Sequence, residues 1–391
     1  MTRSFIPAVC DVSVTNACNA TCDFCSYAHD KNFVTDRRWI DRAELARALP
    51  ILHRRGIRYL GFQGGEPLLH PSIDGLVGDA RKAGMRPAVI TNGWLLPHRI
   101  ERLIDAGLQT LLVSIDSHSM ADHESNRGLK GLETRLRSGL ATARRSGITT
   151  LASITVNKLV RYETLPGLLR SFGFDAVTFS YPRKERFGSS SLVFGETSPL
   201  VDFTPEELVQ ALESIKALKE GFPVLNPTAS IDDIERHVRG ESETFACVGG
   251  HKHFYVDWNL QIWRCEAWSE PLGSVFDLDR IPDCRDRCTA CIMSCYRDAS
   301  VLMHAGVAIE DAARAAASGR VREAVRLLFR RSVARSIGSL VEEARKISRL
   351  ARRSTAARPK TVRESTGGND IEDALRVAQG QSPSGAESST G

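Results

Sequence analysis

Between residues 9 and 181 the apolar positions alternate between two rhythms. Val9-Cys10-Asp11-Val12-Ser13-Val14 repeats with a period of two, the signature of a half-buried strand. Residues 42–55 then place Leu45, Leu49 and Leu52 on one helical stripe, with Gly56 just past its end. A second strand is predicted over 59–63, a helix over 73–83 closed by Gly84, and a third strand over 88–92 closed by Gly93. The unit repeats as helix 97–106, strand 110–116, helix 131–146, strand 149–157, helix 162–172 and strand 176–181. Six strand-then-helix units predict parallel strands joined by right-handed crossovers. Nothing repeats at the level of sequence, which excludes a solenoid.

Polar clusters follow the predicted strands. They are Cys18-Asn-Ala-Thr-Cys22-Asp-Phe-Cys25, Gly64-Gly65-Glu66, Thr91-Asn92-Gly93, Ser114-Ile115-Asp116 and Asn157. In a β/α barrel the chemistry lies at the C-terminal strand ends, so the coincidence points to a site there. Thiolates are soft ligands, and a set made only of cysteine suits an iron–sulfur cluster or zinc. Three thiolates on a four-iron cluster leave one iron open.

The C-x3-C-x2-C spacing, with the aromatic Phe24 before the third cysteine, resembles the radical S-adenosylmethionine (SAM) enzymes. The resemblance implies that Cys18, Cys22 and Cys25 hold a [4Fe–4S] cluster whose fourth iron is chelated by the amine and carboxylate of SAM. It implies further that SAM is cleaved to a 5′-deoxyadenosyl radical, which abstracts a substrate hydrogen. Gly64-Gly65-Glu66-Pro67 resembles the motif that binds the SAM amino group. On the residues alone, the glycines let backbone approach a ligand and Glu66 offers an acceptor for an ammonium, while a plain strand-to-helix turn is the structural alternative. Ser114 and Asp116 resemble the ribose-binding residues after the fourth strand, although Asp116 also suits a helix N-cap. Asp122-His123 and Arg127-Gly128 resemble the loop often found next, with Arg127 either pairing with the SAM carboxylate or solvated. Asn92 and Asn157 are minor SAM contacts or structural turns. The family fold is a partial (β/α)6 barrel; an open sheet satisfies the same pattern.

Six more cysteines, Cys247, Cys265, Cys284, Cys288, Cys291 and Cys295, lie downstream. The stretch 253–264 alternates around Trp258-Asn259 as a hairpin does, and Cys288-Thr-Ala-Cys291 has a metal-cluster spacing. This resembles the twitch domain of radical SAM enzymes, a reduced SPASM domain holding one auxiliary [4Fe–4S] cluster. Cys247, Cys265, Cys288 and Cys291 would be its ligands, with Cys295 competing for a place and Cys284 spare. Two fully cysteine-ligated clusters need eight thiolates and six are present, so one is favoured; structural zinc is the redox-silent alternative.

The expected organisation is a barrel core over 1–190, connecting helices over 191–245 (at 206–219, capped by Thr204-Pro205, and 231–238), a cluster domain over 246–300, a basic helical arm over 301–355 and a disordered tail over 356–391. Phe187-Gly-Ser-Ser-Ser is predicted as a flexible loop near the substrate entrance. Lys184, Tyr181 and Tyr296 are candidate acids or bases.

Composition changes this picture little. Apolar content of 42% and charge of 25% are ordinary. No signal sequence or membrane-length apolar run is read, and clustered cysteines favour metal over disulfide, which together predict the cytoplasm. The net charge of +5 is concentrated: residues 310–355 hold twelve basic and five acidic side chains, whereas 1–309 are balanced at 36 against 37. No nucleic-acid partner is expected of the core. In the arm, Phe329, Val333, Ile337, Leu340, Ala344, Ile347 and Ala351 form an apolar stripe flanked by arginines. It suits packing on the barrel, a protein partner or an anionic membrane surface.

The resemblance implies an enzyme reduced by a partner such as flavodoxin or ferredoxin. The cysteine loop begins at residue 18, which leaves no room for an N-terminal peptide-recognition domain. A small polar metabolite such as a sugar or aminocyclitol, oxidised or epimerised, is therefore expected. Peptide maturation and lipid modification are the alternatives, and an iron–sulfur electron carrier or a zinc-bound adaptor the non-enzymatic ones.

Overall fold

The computed structural model describes residues 5–29, 36–182 and 198–355. Among them, nine strands form one sheet. Strands β1 (Ala8–Ser13), β2 (Ile57–Gln63), β3 (Arg86–Thr91), β4 (Thr110–Ser114), β5 (Thr149–Thr155) and β6 (Ala176–Ser180) lie side by side in chain order, all parallel. The downstream hairpin does not stand apart from them. Its first strand, β7 (His253–Val256), pairs in parallel with the free edge of β1, and β8 (Gln261–Trp263) and β9 (Gly273–Ser274) follow antiparallel. The order β6-β5-β4-β3-β2-β1-β7-β8-β9 does not close on itself. It is a partial barrel with the second cysteine region built onto its first strand.

Alternation along the strands separates two faces. Cys10, Val12, Leu60, Phe62, Val89, Leu111, Val113, Ala152, Ile154, Val177 and Phe179 are buried and share one core with the crossover helices Arg42–Arg54, Ile73–Lys82, Leu96–Asp105, Leu132–Arg145 and Leu165–Phe172. The other face is set by the register Asp11↔Gly61↔Ala88↔Thr110 and Ser114↔Ser153↔Thr178. It carries Asp11, Gln63, Ser114, Ser153, Thr155, Thr178 and Ser180, all half-buried, with Ser13 buried among them. Lower on that face Leu151 and Ala176, with Leu112 and Leu225, form a small separate apolar plug.

The outer edge of β6 is covered by residues 223–226. Val177 N–H donates to Pro223 O (2.9 Å) and Leu225 N–H to Val177 O (2.8 Å). The buried Asn226 side chain then imitates a strand, accepting from Phe179 N–H (2.7 Å) and donating to Phe179 O (2.9 Å). Edge amides are thereby satisfied without another strand.

A helix over Met120–Arg127, absent from the sequence-based pattern, holds Asp122, His123 and Arg127; Ser119 caps it by accepting from Asp122 N–H. The C-terminal part forms three helices, Ser294–Ala317, Val321–Leu328 and Arg331–Thr355. Of the predicted arm stripe, Val333 is buried, but Phe329, Ile337, Leu340 and Ala344 face outward; the side chains of Ile347 and Ala351 lie outside the described residues. The expected flexible loop at 187–191, Lys184 and the tail from 356 also lie outside them.

Candidate active site and two cysteine groups

The cysteine loop is clamped from two sides. Gly65 N–H donates to Thr15 O (2.9 Å) and Glu66 N–H to Ala17 O (2.7 Å); Thr21 N–H donates to Arg127 O (2.9 Å). A Cβ on Gly64 or Gly65 would overlap the backbone of Thr15 or Ala17, and one on Gly128 the hydroxyl of Thr21. The glycines after β2 thus serve first to nest one strand-end loop in the next.

Cys18, Cys22 and Cys25 lie close enough to raise one another's pKa or share the same charged neighbours. Burial pushes all three thiols up, Cys18 to about 12, while the Arg127 guanidinium acts in the opposite sense on each. Ala20 N–H points at Cys18 Sγ (3.4 Å). Phe24 is half-buried beside them in the chain.

Glu66 is completely buried. Its carboxylate accepts from Leu68 N–H (2.9 Å), the Thr91 hydroxyl (2.6 Å) and Asn92 N–H (2.7 Å). Burial raises its pKa to about 7, against those three bonds and the charge of Arg127, all of which favour the ionised form. Asn92 donates from its side chain to Asn19 Oδ1 (2.8 Å) and accepts from Trp94 N–H (2.9 Å).

Asp116 forms the second polar knot. Its carboxylate accepts from Arg127 Nη2 (2.6 Å) and Asn126 Nδ2 (2.8 Å), and its backbone N–H donates to His123 Nδ1 (3.0 Å). Burial alone would raise its pKa, but Arg127 and His123 overcome this and hold the carboxyl well below the usual range. Asn157 Nδ2 donates to Asp116 O (2.9 Å) and Thr155 O (2.7 Å). Arg127 is therefore buried rather than solvated, Asp122 is exposed, and Asp116 pairs with a side chain rather than capping a helix. Ser114 stands apart from this knot on the polar face of the sheet, opposite Ser153.

Buried donors remain unpaired here. Asn19 Nδ2, Arg127 Nε and His123 Nε2 have no hydrogen-bond partner among the described residues. Asn19 lies between the first two cysteines, and Arg127 is a charged neighbour of all three. Such donors fit a negatively charged, sulfur-rich group. Among the described residues no three His, Cys, Asp or Glu side chains close around a single ion. A four-iron cubane does not require that, since each cysteine binds a different iron. The donor set fits a cluster better than zinc.

The second group separates in space. Cys247 has Cys288 and Cys291 as charged neighbours, Cys265 has Cys291 and Cys247, and Cys247 N–H donates to Cys288 O (3.0 Å). Burial pushes Cys247 up to about 11 and Cys265 to about 12. Cys284 has Arg264, Asp286 and Asp283 as charged neighbours, and Arg264 is shared with Cys288. Cys295 is exposed, and its charged neighbours include Glu266, Asp11, Asp298 and Cys291.

Between the two groups the candidate acids or bases Tyr181 and Tyr296 are joined by residues the sequence did not mark, Gln63, Glu266, Tyr27, Ser13 and Asp11. Gln63 Nε2 donates to the buried Glu266 (2.5 Å), and the Tyr27 and Ser13 hydroxyls are 3.4 Å apart. Tyr296 stacks on His253 (4.1 Å between rings), and His253 Nε2 meets Asp11 Oδ2 at 2.9 Å. Tyr181 lies buried near Asp298, whose pKa burial raises to about 7. Period-two spacing from Asp11 and Gly61 places Ser13 and Gln63 on this face; nothing local marks Glu266.

Residues 12–170 match the radical SAM superfamily model. The GTP 3′,8-cyclase of Mycobacterium marinum is 36% identical over 156 residues, 39% of this chain and 42% of the relative. The first cyclases are each matched over less than half their own length. The AdoMet-dependent heme synthase of Methanosarcina barkeri is 30% identical over 262 residues, 64% of this chain and 74% of the relative. The chain belongs to the radical SAM superfamily, whose members use a [4Fe–4S] cluster and SAM. In solved structures the fold is shared with Streptococcus suis SuiB bound to SAM (TM-score 0.55, 15% identity, 71% of this chain and 66% of that one). It is also shared with anSMEcpe with bound AdoMet (TM-score 0.50, 14% identity, 95% and 99%). No helix among the described residues is long and apolar enough to cross a membrane.

Proposed function

We propose that this chain cleaves SAM reductively and removes a hydrogen from a small polar metabolite, such as a sugar or aminocyclitol, in an oxidation or epimerisation. The observation that carries the substrate class is the polar face of the sheet between the two cysteine groups. Asp11, Ser13, Gln63, Ser114, Ser153, Thr155, Thr178 and Ser180 present carboxylate, amide and hydroxyl groups there. Asp11, Ser13 and Gln63 are already engaged by His253, Tyr27 and Glu266, and an apolar substrate would leave the remaining hydroxyls of Ser114, Ser153, Thr155, Thr178 and Ser180 unpaired. The cyclase and heme synthase relatives are named for a nucleotide and a heme, small molecules both.

On this reading Cys18, Cys22 and Cys25 hold the first cluster. Glu66, with three of about four carboxylate lone-pair sites used, keeps one for the SAM ammonium. Arg127 keeps Nε for the SAM carboxylate. Gly64, Gly65, Asn92 and Asn157 hold the pocket wall, Phe24 flanks it, and Ser114 faces the ribose. When bound, the cluster and SAM supply the radical that takes the hydrogen. Cys247, Cys265, Cys288 and Cys291 would hold an auxiliary [4Fe–4S] cluster, with Cys295 competing for a place, and such a group would supply electron exchange with the substrate. A flavodoxin or ferredoxin supplies the reducing electron.

The test is anaerobic incubation of reconstituted protein with SAM, dithionite and deuterated polar metabolites. Deuterium entering 5′-deoxyadenosine identifies the substrate. Incorporation only from peptides would replace this reading with peptide maturation, and no 5′-deoxyadenosine at all would remove the enzyme reading.

Two further results are expected. Cys284→Ser should keep about eight irons per chain and Cys288→Ala about four, by iron and sulfide analysis; equal losses would refute the division of the second group. SAM binding should also follow Glu66. The ionised form binds an ammonium, and its pKa is about 7, so affinity should fall roughly tenfold per unit as pH drops from 7 to 5. Equilibrium binding across that range should be flat in Glu66→Gln.

A further inference from the structure

The last helix of the described chain, Arg331–Thr355, packs with its polar side inward. Ser336 and Ser339 are buried, and Glu343 is 5% exposed. The Ser336 hydroxyl donates to Val301 O (2.6 Å) and accepts from Ala305 N–H (3.0 Å) in the neighbouring helix Ser294–Ala317. Ser332 meets His304 (2.8 Å), Arg335 pairs with Asp232 (3.1 Å), Glu342 with Lys219 (2.7 Å), and Lys346 donates to Val224 O (2.7 Å). These bonds fix the helix rotation, and the apolar side is left outward.

Ile337, Leu340 and Val341 are 50%, 42% and 46% exposed, with Ala334, Gly338 and Ala344 beside them. The preceding helix, Val321–Leu328, packs Ala324 and Leu327 inward but leaves Val321, Val325 and Leu328 exposed, and Phe329 in the turn between the two is 84% exposed. Arg320, Arg322, Arg326, Arg330, Arg331 and Arg345 are exposed around this row, and Glu323 is the one exposed acid between residues 320 and 346. A helix with its apolar side in water and its polar side in the protein has a missing partner.

We propose that this face docks on an anionic lipid surface, with the apolar row entering the interface and the arginines meeting headgroup phosphates. Charge complementarity favours this occupant. A second copy would bring arginine against arginine across an isologous contact. Phe329, 84% exposed, projects from the row, which a deformable bilayer accepts. Basic side chains on the flanks add attraction to anionic headgroups that salt weakens.

Flotation of the full-length chain with vesicles of phosphatidylglycerol and phosphatidylcholine tests the proposal. Binding should require phosphatidylglycerol, weaken with salt, and fall by about tenfold or more in Val325→Ser/Phe329→Ser. Both positions are exposed, so the melting temperature should hold, and Arg326→Glu/Arg330→Glu should lose binding by a second route. The proposal is overturned if the chain does not float with the anionic vesicles, or floats equally well with both variants. It is also overturned if sedimentation shows a dimer that Val325→Ser/Phe329→Ser dissociates while no vesicle binding occurs.

Discussion

Cys22→Ala is expected to halve the iron content of reconstituted protein, from about eight to about four per chain, and to reduce 5′-deoxyadenosine release to background. Cys22 is the most buried of the three loop cysteines, at 7% exposed, and its thiol faces Arg127 and Asp116 as well as Cys18 and Cys25. Removing it deletes one sulfur donor at the centre of the clamp and leaves Arg127 facing an emptied position. The control is Cys10→Ala. Cys10 is fully buried on the helix-facing side of β1, and its loss should cost about 1 kcal/mol while leaving iron near eight. Equal iron loss in both variants, or release that survives Cys22→Ala, would falsify the assignment of the loop.

The second large effect is on stability. Arg127→Ala should cost about 3–5 kcal/mol, because it strands a buried carboxylate. Asp116 and Arg127 have side chains 2% and 9% exposed, so water cannot replace the lost partner. The melting temperature of the cluster-free chain should fall by roughly 5–10 °C. Arg127→Lys should recover only part of this, since a point charge does not reproduce the guanidinium fork that reaches Asp116 while leaving Nε beside the thiols. The pH dependence has a defined sign. Asp116 titrates below its unfolded value, so its contribution is complete above about pH 4 and is lost as pH falls below that. Stability followed by circular dichroism should therefore fall more steeply below about pH 4 in the wild type than in Asp116→Asn, the two curves converging in acid. A wild-type profile no steeper than the variant's would contradict the pairing.

Much of the site is legible because its chemistry is local in sequence. Cysteine spacing, the Gly-Gly-Glu-Pro run and the six strand–helix units each occupy a short window, and the parallel sheet follows from their order. The helix Met120–Arg127 was missed for the opposite reason. Met120-Ala-Asp-His-Glu-Ser-Asn-Arg has little apolar periodicity, and two of its three buried side chains, His123 and Arg127, are polar groups held by Asp116 from a different element. In sequence the glycines of the second strand end suggest freedom for a ligand to approach, whereas their nearest neighbours are the carbonyls of Thr15 and Ala17, some fifty residues earlier. Such contacts have no trace in local pattern.

Sequence by itself determined the sulfur chemistry, the α/β periodicity and the existence of an apolar stripe in the arm, because each is a property of spacing along one segment. Tertiary structure alone decided that β7 extends the barrel from β1, that Gln63 and Glu266 meet beside Tyr296, and that the arm turns its apolar side outward. A periodic pattern defines a face but not its direction. Direction is settled by which distant hydrogen bonds and charge pairs can be satisfied together, and here Ser336, Glu342 and Lys346 settled it against the stripe.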